Sequence, residues 1–259
     1  MRVLVLDGRG VPGLAILPAL HQLEQALCAL DGSLLNDAFD WIVGSSVGGI
    51  IAISLRDHKG MDIVQRVTIR LLQDEFRPPG LLSNIAAWQC KRKTGYRHRG
   101  IMLDARIFLR FLMQTIPDRT AVIAHDLTTG LDLLLDQQSM GGVRPAICST
   151  MAEPGILPPR RQGKSIYVST TRDPLSVFLE HHDPESLFVL SISNGTNESD
   201  CKYKCKCIRW QLPSLDIAFD DTSERSLSRV LNIKLDDQVW NGYPPTVVAQ
   251  MIMSMGTEV

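Results

Sequence analysis

A serine hydroxyl attacks a carbonyl only when the chain presents it openly and a neighbouring group takes its proton. Ser46 stands in Gly44-Ser45-Ser46-Val47-Gly48, which reads G-x-S-x-G. The flanks give the pattern meaning. Phe39-Asp40-Trp41-Ile42-Val43 is a short apolar run suited to a buried strand, and Gly49-Ile50-Ile51-Ala52-Ile53-Ser54-Leu55 is suited to a helix packed on a sheet. Strand, tight turn and helix together form an elbow that exposes a nucleophile. The plainer reading of the same residues is a glycine-rich strand-to-helix turn, in which the glycines serve close packing alone. The flanks favour the nucleophile.

Such a nucleophile needs donors for the negative charge that develops on the carbonyl oxygen. Asp7-Gly8-Arg9-Gly10-Val11-Pro12-Gly13 follows the apolar strand Arg2 to Leu6 and precedes a helix with Leu14, Ile16, Leu17, Leu20, Leu23 and Leu27. The loop matches G-x-G-x-x-G. It could cradle a pyrophosphate, aim backbone amides at an oxyanion, or simply turn. A G-x-S-x-G one βα unit later favours the oxyanion hole. A dinucleotide site would also need an acidic residue after the second strand, and that strand ends in Gly44-Ser45-Ser46 instead.

The two stretches together resemble the patatin-like phospholipase family, which shows D-G-G-G-x-R-G and then F-D-x-I-x-G-T-S-x-G-G. Further segments agree in order. His125-Asp126-Leu127-Thr128-Thr129-Gly130 is similar to a strand and turn reading A-T-D-L-T-T-G. The segment Val143 to Pro159 is similar to V-R-A-S-x-A-I-P-G-x-F-P-P, and Leu187 to Ile192 to a late core strand. The match runs in register over roughly residues 1–195 and is faint beyond. It implies an α/β fold of three layers, with a mainly parallel central sheet flanked by helices, as a single domain over 1–259.

The resemblance also implies a chemistry: hydrolysis of lipid acyl esters by a serine–aspartate dyad. Carried over by position, Ser46 is the nucleophile and Gly8, Arg9 and Gly10 form the oxyanion hole. Arg9 replaces a glycine of the family pattern, and Pro12 replaces its arginine. The aspartate of the dyad opens a D-G-G or D-G-A motif at the end of a strand. Here the strand Ser165-Ile166-Tyr167-Val168 is followed by Ser169-Thr170-Thr171. Ser169 is no general base at neutral pH. Asp173 is the nearest carboxylate and the candidate base, although before Pro174 an aspartate also suits a helix cap. His125 is the first histidine to test as a substitute. Two functions remain: a patatin-like lipid acyl hydrolase, or a degenerate member that binds lipid or serves as a subunit of a larger assembly.

Composition narrows the surroundings. The chain has 259 residues, 44% hydrophobic and 21% charged, with a net charge of −1. That balance excludes a general electrostatic attraction to nucleic acid. No apolar run is long enough to span a bilayer, and Met1 to Asp7 reads as a strand rather than a signal peptide. A cytoplasmic or peripheral membrane location is expected, not secretion, with the six cysteines reduced. Lys91, Arg92, Lys93, Arg97 and Arg99, near Trp88 and Tyr96, could meet anionic headgroups. Cys201, Cys205 and Cys207 lack zinc spacing, so neither metal nor cofactor is expected.

Overall fold

Val3 to Gly8 are buried without a break, which is how a strand covered on both faces reads. This strand, β1 (Arg2–Gly8), lies at the middle of an eight-stranded sheet. The computed structural model describes residues 1–58, 60–76, 114–140, 142–194 and 205–255. The basic run and its aromatic neighbours fall outside these residues, as does Cys201.

The other strands are β2 (Trp41–Ser46), β3 (Thr120–Asp126), β4 (Leu131–Leu135), β5 (Arg160–Gln162), β6 (Ser165–Val168), β7 (Phe188–Ser193) and β8 (Lys206–Gln211). Their order is β5-β6-β3-β2-β1-β7-β8, with β4 paired to β3. The pairs β1–β2, β1–β7, β2–β3 and β7–β8 are parallel, and β3–β4, β3–β6 and β5–β6 are antiparallel. The sheet is therefore mainly parallel, as the sequence suggests. Strands β5 and β8 were not anticipated. Both are short and carry charged residues, which blurs the apolar signal of an edge strand.

The helices are α1 (Ile16–Asp31), α2 (Leu35–Ala38), α3 (Val47–Asp57), α4 (Met61–Phe76), α5 (Val143–Thr150), α6 (Pro174–Leu179), α7 (Glu224–Leu231), α8 (Asp237–Trp240) and α9 (Pro245–Ser254). A 3-10 turn at Val11–Ala15 leads into α1. On one face of the sheet, alternate strand residues (Leu4, Leu6, Ile42, Val122, Ala124) pack with α1, α3, α4, α5 and α9. On the other, Val3, Val5, Val43 and Ile123 pack with Leu175, Val177 and Phe178 of α6. Helix α3 lies very close to the sheet. A Cβ on Gly48 would stand 2.1 Å from the Leu6 carbonyl oxygen, and one on Gly44 would stand 2.2 Å from the Gly48 oxygen. The glycines of the elbow are thus required by packing, whatever else the elbow does.

Candidate active site

Ser46 closes β2 and caps α3 with φ 51° and ψ −120°, a conformation that a residue with a Cβ seldom adopts. Its amide donates to Thr150 Oγ1 at 2.7 Å, and the Thr150 hydroxyl donates to the Ile123 carbonyl at 2.6 Å. The elbow is thereby pinned to the C-terminal end of α5 and to β3. The Ser46 hydroxyl contacts Met151 Sδ at 3.6 Å, and the residue is 3% exposed. Being at the N-terminus of α3, the hydroxyl feels the positive end of the helix, which favours an alkoxide.

Beside the elbow runs the loop after β1. Gly8 is packed against the start of α3, where a Cβ would meet Gly48 N at 3.0 Å. Gly10 has φ 55°, and a Cβ there would meet the Phe219 ring at 2.6 Å. Amides of this loop are engaged within the chain, among them Gly13 N–H, which donates to the Gly10 carbonyl at 3.0 Å. Arg9 N–H donates to Asn194 Oδ1 at 3.1 Å, and Val11 N–H donates to the Phe219 carbonyl at 2.8 Å. Asn194 follows β7, and its own amide donates to the Asp7 carbonyl at 3.2 Å. The Arg9 side chain is 30% exposed, with Nε 4.0 Å from Asp7 Oδ1. Asp7 is buried and accepts from Ser45 Oγ at 2.8 Å and Ser193 Oγ at 3.4 Å. Burial raises its pKa above the usual carboxylate value, against the pull of Ser45 and Arg9.

Asp173 lies on the α6 side of the sheet, close enough to the buried Asp7 that its charge helps to raise the Asp7 pKa. It caps α6, with Oδ1 accepting from Leu175 N–H at 3.1 Å and Oδ2 from Arg209 at 2.6 Å. Helix α6 covers the face of the sheet opposite α3 and α5. The structure brings Ser46 together with the Gly8-Arg9-Gly10 loop but gives Asp173 the duties of a cap and an ion pair. His125 also points away from the elbow's face. Alternation along β3 puts it with Ile123, toward α6, where Nδ1 pairs with Asp132 Oδ1 at 3.1 Å.

What the sequence did not reveal is the contact between the turn after α5 and the end of β6. Ser169, where the family motif carries its aspartate, donates its hydroxyl to Glu153 Oε2 at 2.5 Å and its amide to the Ala152 carbonyl at 3.0 Å. Asp126 explains the D-L-T-T-G likeness: its carboxylate accepts from Thr128 N–H at 2.9 Å and Ile166 N–H at 3.3 Å, tying the β3–β4 turn to β6. Gly130 then takes φ 73°.

The family model for patatin-like phospholipase matches residues 4–170, which include most of β1, the elbow, the turn after α5 and the end of β6. The chain belongs to that family. Over 75 residues it is 39% identical to the 85/88 kDa calcium-independent phospholipase A2 of Rattus norvegicus, a stretch that is 29% of this chain and 9% of that protein. Over 55 residues it is 38% identical to phospholipase A I of Arabidopsis thaliana, covering 21% of this chain and 4% of that protein. The chain therefore matches less than a tenth of the length of these patatin-like relatives. A crystal structure of VipD from Legionella pneumophila superimposes with a TM-score of 0.44 and 13% identity, over 98% of this chain and 67% of that one. No helix among the described residues is long and apolar enough to cross a membrane, and none of those residues form a group of three or more His, Cys, Asp or Glu that could hold a metal ion.

Proposed function

We propose that the protein hydrolyses acyl esters of lipids, with Ser46 as nucleophile and the Gly8-Arg9-Gly10 loop as oxyanion hole. The observation that carries this reading is the backbone of Ser46. A positive φ at a buried non-glycine residue costs free energy, on the order of 1–3 kcal/mol, and such strain persists chiefly where function uses it. The substrate would be a phospholipid or related ester, reached from a membrane surface through Lys91, Arg92, Lys93, Arg97 and Arg99.

A second reading, a catalytically degenerate lipid-binding or structural subunit, draws support from the same loop. Arg9 N–H and Val11 N–H already have internal acceptors, and Ser46 is almost completely covered. Labelling with a fluorophosphonate probe separates the two. The hydrolase reading expects the folded wild type to label and Ser46→Ala not to. An unlabelled, folded wild type would leave the subunit reading. Sedimentation with anionic vesicles, before and after replacing the five basic residues by glutamine, tests the membrane contact.

A further inference from the structure

We propose that Ser169 and Glu153 together replace the absent aspartate, with the Ser169 hydroxyl taking the Ser46 proton while passing its own to the Glu153 carboxylate. This rests on the reading of Ser46 as a nucleophile.

The geometry follows from how β3 shares its edges. Strand β4 pairs with β3 from Val122 to Asp126. Strand β2 pairs with it from Thr120 to Ile123, and β6 at His125 and Asp126. Each overlaps β4, so β2 and β6 must lie on the opposite edge, end to end. Ser45 is opposite Ile123 and Val168 is opposite His125. These positions are two residues apart on β3, about 7 Å along the strand. Because β2 is parallel to β3 and β6 antiparallel, the next residue of each chain, Ser46 and Ser169, steps toward the other at the level of Ala124.

The side chains also share a face. By alternation Ser46 follows Ile42 and Gly44, and Ser169 follows Tyr167, toward the layer that holds α3 and α5. One turn receives both. Met151 Sδ is 3.6 Å from Ser46 Oγ, and Glu153 Oε2, two residues on, is 2.5 Å from Ser169 Oγ. The Ser169 amide, bound to the Ala152 carbonyl at 3.0 Å, fixes that turn to the end of β6. Ser169 stands where the D-G-G motif has its carboxylate, and Glu153 stands where the family turn A-I-P-G has an apolar residue. A hydrogen bond joins the two positions.

The step balances without any further reactant. Ser46 Oγ forms a bond to the ester carbonyl carbon, whose π pair moves onto the carbonyl oxygen. The Ser46 proton goes to Ser169 Oγ and the Ser169 proton to Glu153. Collapse expels the alkoxide, which recovers a proton by the reverse path, and water then releases the acyl group in the same way.

The test is hydrolysis of 4-nitrophenyl butyrate by the purified chain and its Ser46→Ala, Glu153→Gln, Ser169→Ala and Glu153→Gln/Ser169→Asp variants. The first four report on roles. Removing a general base lowers kcat by about 100- to 10,000-fold, so Glu153→Gln and Ser169→Ala should each fall in that range with KM little changed. The last variant puts an aspartate back at the end of β6 and should recover at least about tenfold of the lost kcat. That recovery would not follow if Glu153→Gln had simply misfolded. Wild-type kcat in both Glu153→Gln and Ser169→Ala, or no recovery with Asp at 169, overturns the relay alone. Hydrolysis that survives Ser46→Ala, or is absent from the wild type, overturns the nucleophile and the relay together.

Discussion

The Ser46 amide and the Thr150 hydroxyl are 2.7 Å apart, and Thr150 in turn donates to the Ile123 carbonyl at 2.6 Å. One side chain therefore links the Ser46 backbone to the neighbouring strand. All three groups are buried, so losing the threonine oxygen leaves an amide and a carbonyl without that partner. Thr150→Val should destabilise the protein by about 1–3 kcal/mol. Thr150→Ser, which keeps the oxygen, should cost much less. Urea unfolding of the three proteins checks this. Equal midpoints for the valine and serine variants would show that the elbow does not depend on the bond.

The strain at Ser46 predicts a stability that function does not want. At φ 51° and ψ −120° glycine pays no Cβ penalty, while alanine pays the same as serine. Ser46→Gly should be more stable than Ser46→Ala by about 1 kcal/mol, the strain relieved less the extra freedom glycine has when unfolded. Both should lack probe labelling. Thermal unfolding of the two dead variants, compared directly, removes any contribution from the hydroxyl. An alanine variant as stable as the glycine one would mean the elbow is unstrained.

The fold was legible where burial on both sheet faces made long apolar runs. Strands β1 and β2 fall on the apolar runs Arg2 to Leu6 and Phe39 to Val43, and both are buried almost throughout. Strand β8 was not, because Lys206 and Arg209 interrupt its apolar residues, and Arg209 is the partner of Asp173. At the site, the serine and the glycine-rich loop were legible because their turn geometry restricts residue type. Glu153, Asn194 and Phe219 were not. Each reaches the site from a distant part of the chain through an ordinary side chain or carbonyl, and no local spacing marks such a contact. Asp173 was drawn to the site by its closeness in sequence to the missing motif, whereas the residue before Pro174 is a helix cap on the other face.

Asn194 should act as a brake on the loop. Its Oδ1 holds the Arg9 amide at 3.1 Å, and that amide is a proposed oxyanion donor. Substrate oxygen must displace the asparagine before the amide can serve. Asn194→Ala removes the competitor, and it also leaves a donor unpaired in the free protein. The variant should lose about 1 kcal/mol of stability, as for a single hydrogen bond, while its kcat on a soluble ester rises above wild type. A kcat that drops instead would mean Asn194 orients the loop rather than occupying it.

Asp7 gives the site a pH dependence of opposite sign to that of most carboxylates. Burial raises its pKa, with the Ser45 hydrogen bond and the Arg9 charge only partly offsetting this. A raised carboxyl pKa means that the folded state binds the proton more tightly than the unfolded chain does. The resulting stability is fully present below the unfolded value, about 3.9, and is lost as pH rises through the folded value. Asp7→Asn keeps an oxygen for the Ser45 hydroxyl and never ionises. The Tm of Asp7→Asn minus that of wild type should therefore increase from pH 4 upward and level off once Asp7 is ionised in the folded wild type. Groups that do not interact with Asp7 titrate alike in both proteins and cancel in the difference, whereas the charge of Asp173 is coupled to Asp7. A difference that stays flat, or falls with rising pH, would show that Arg9 and the two serines hold Asp7 as a stable carboxylate despite its burial.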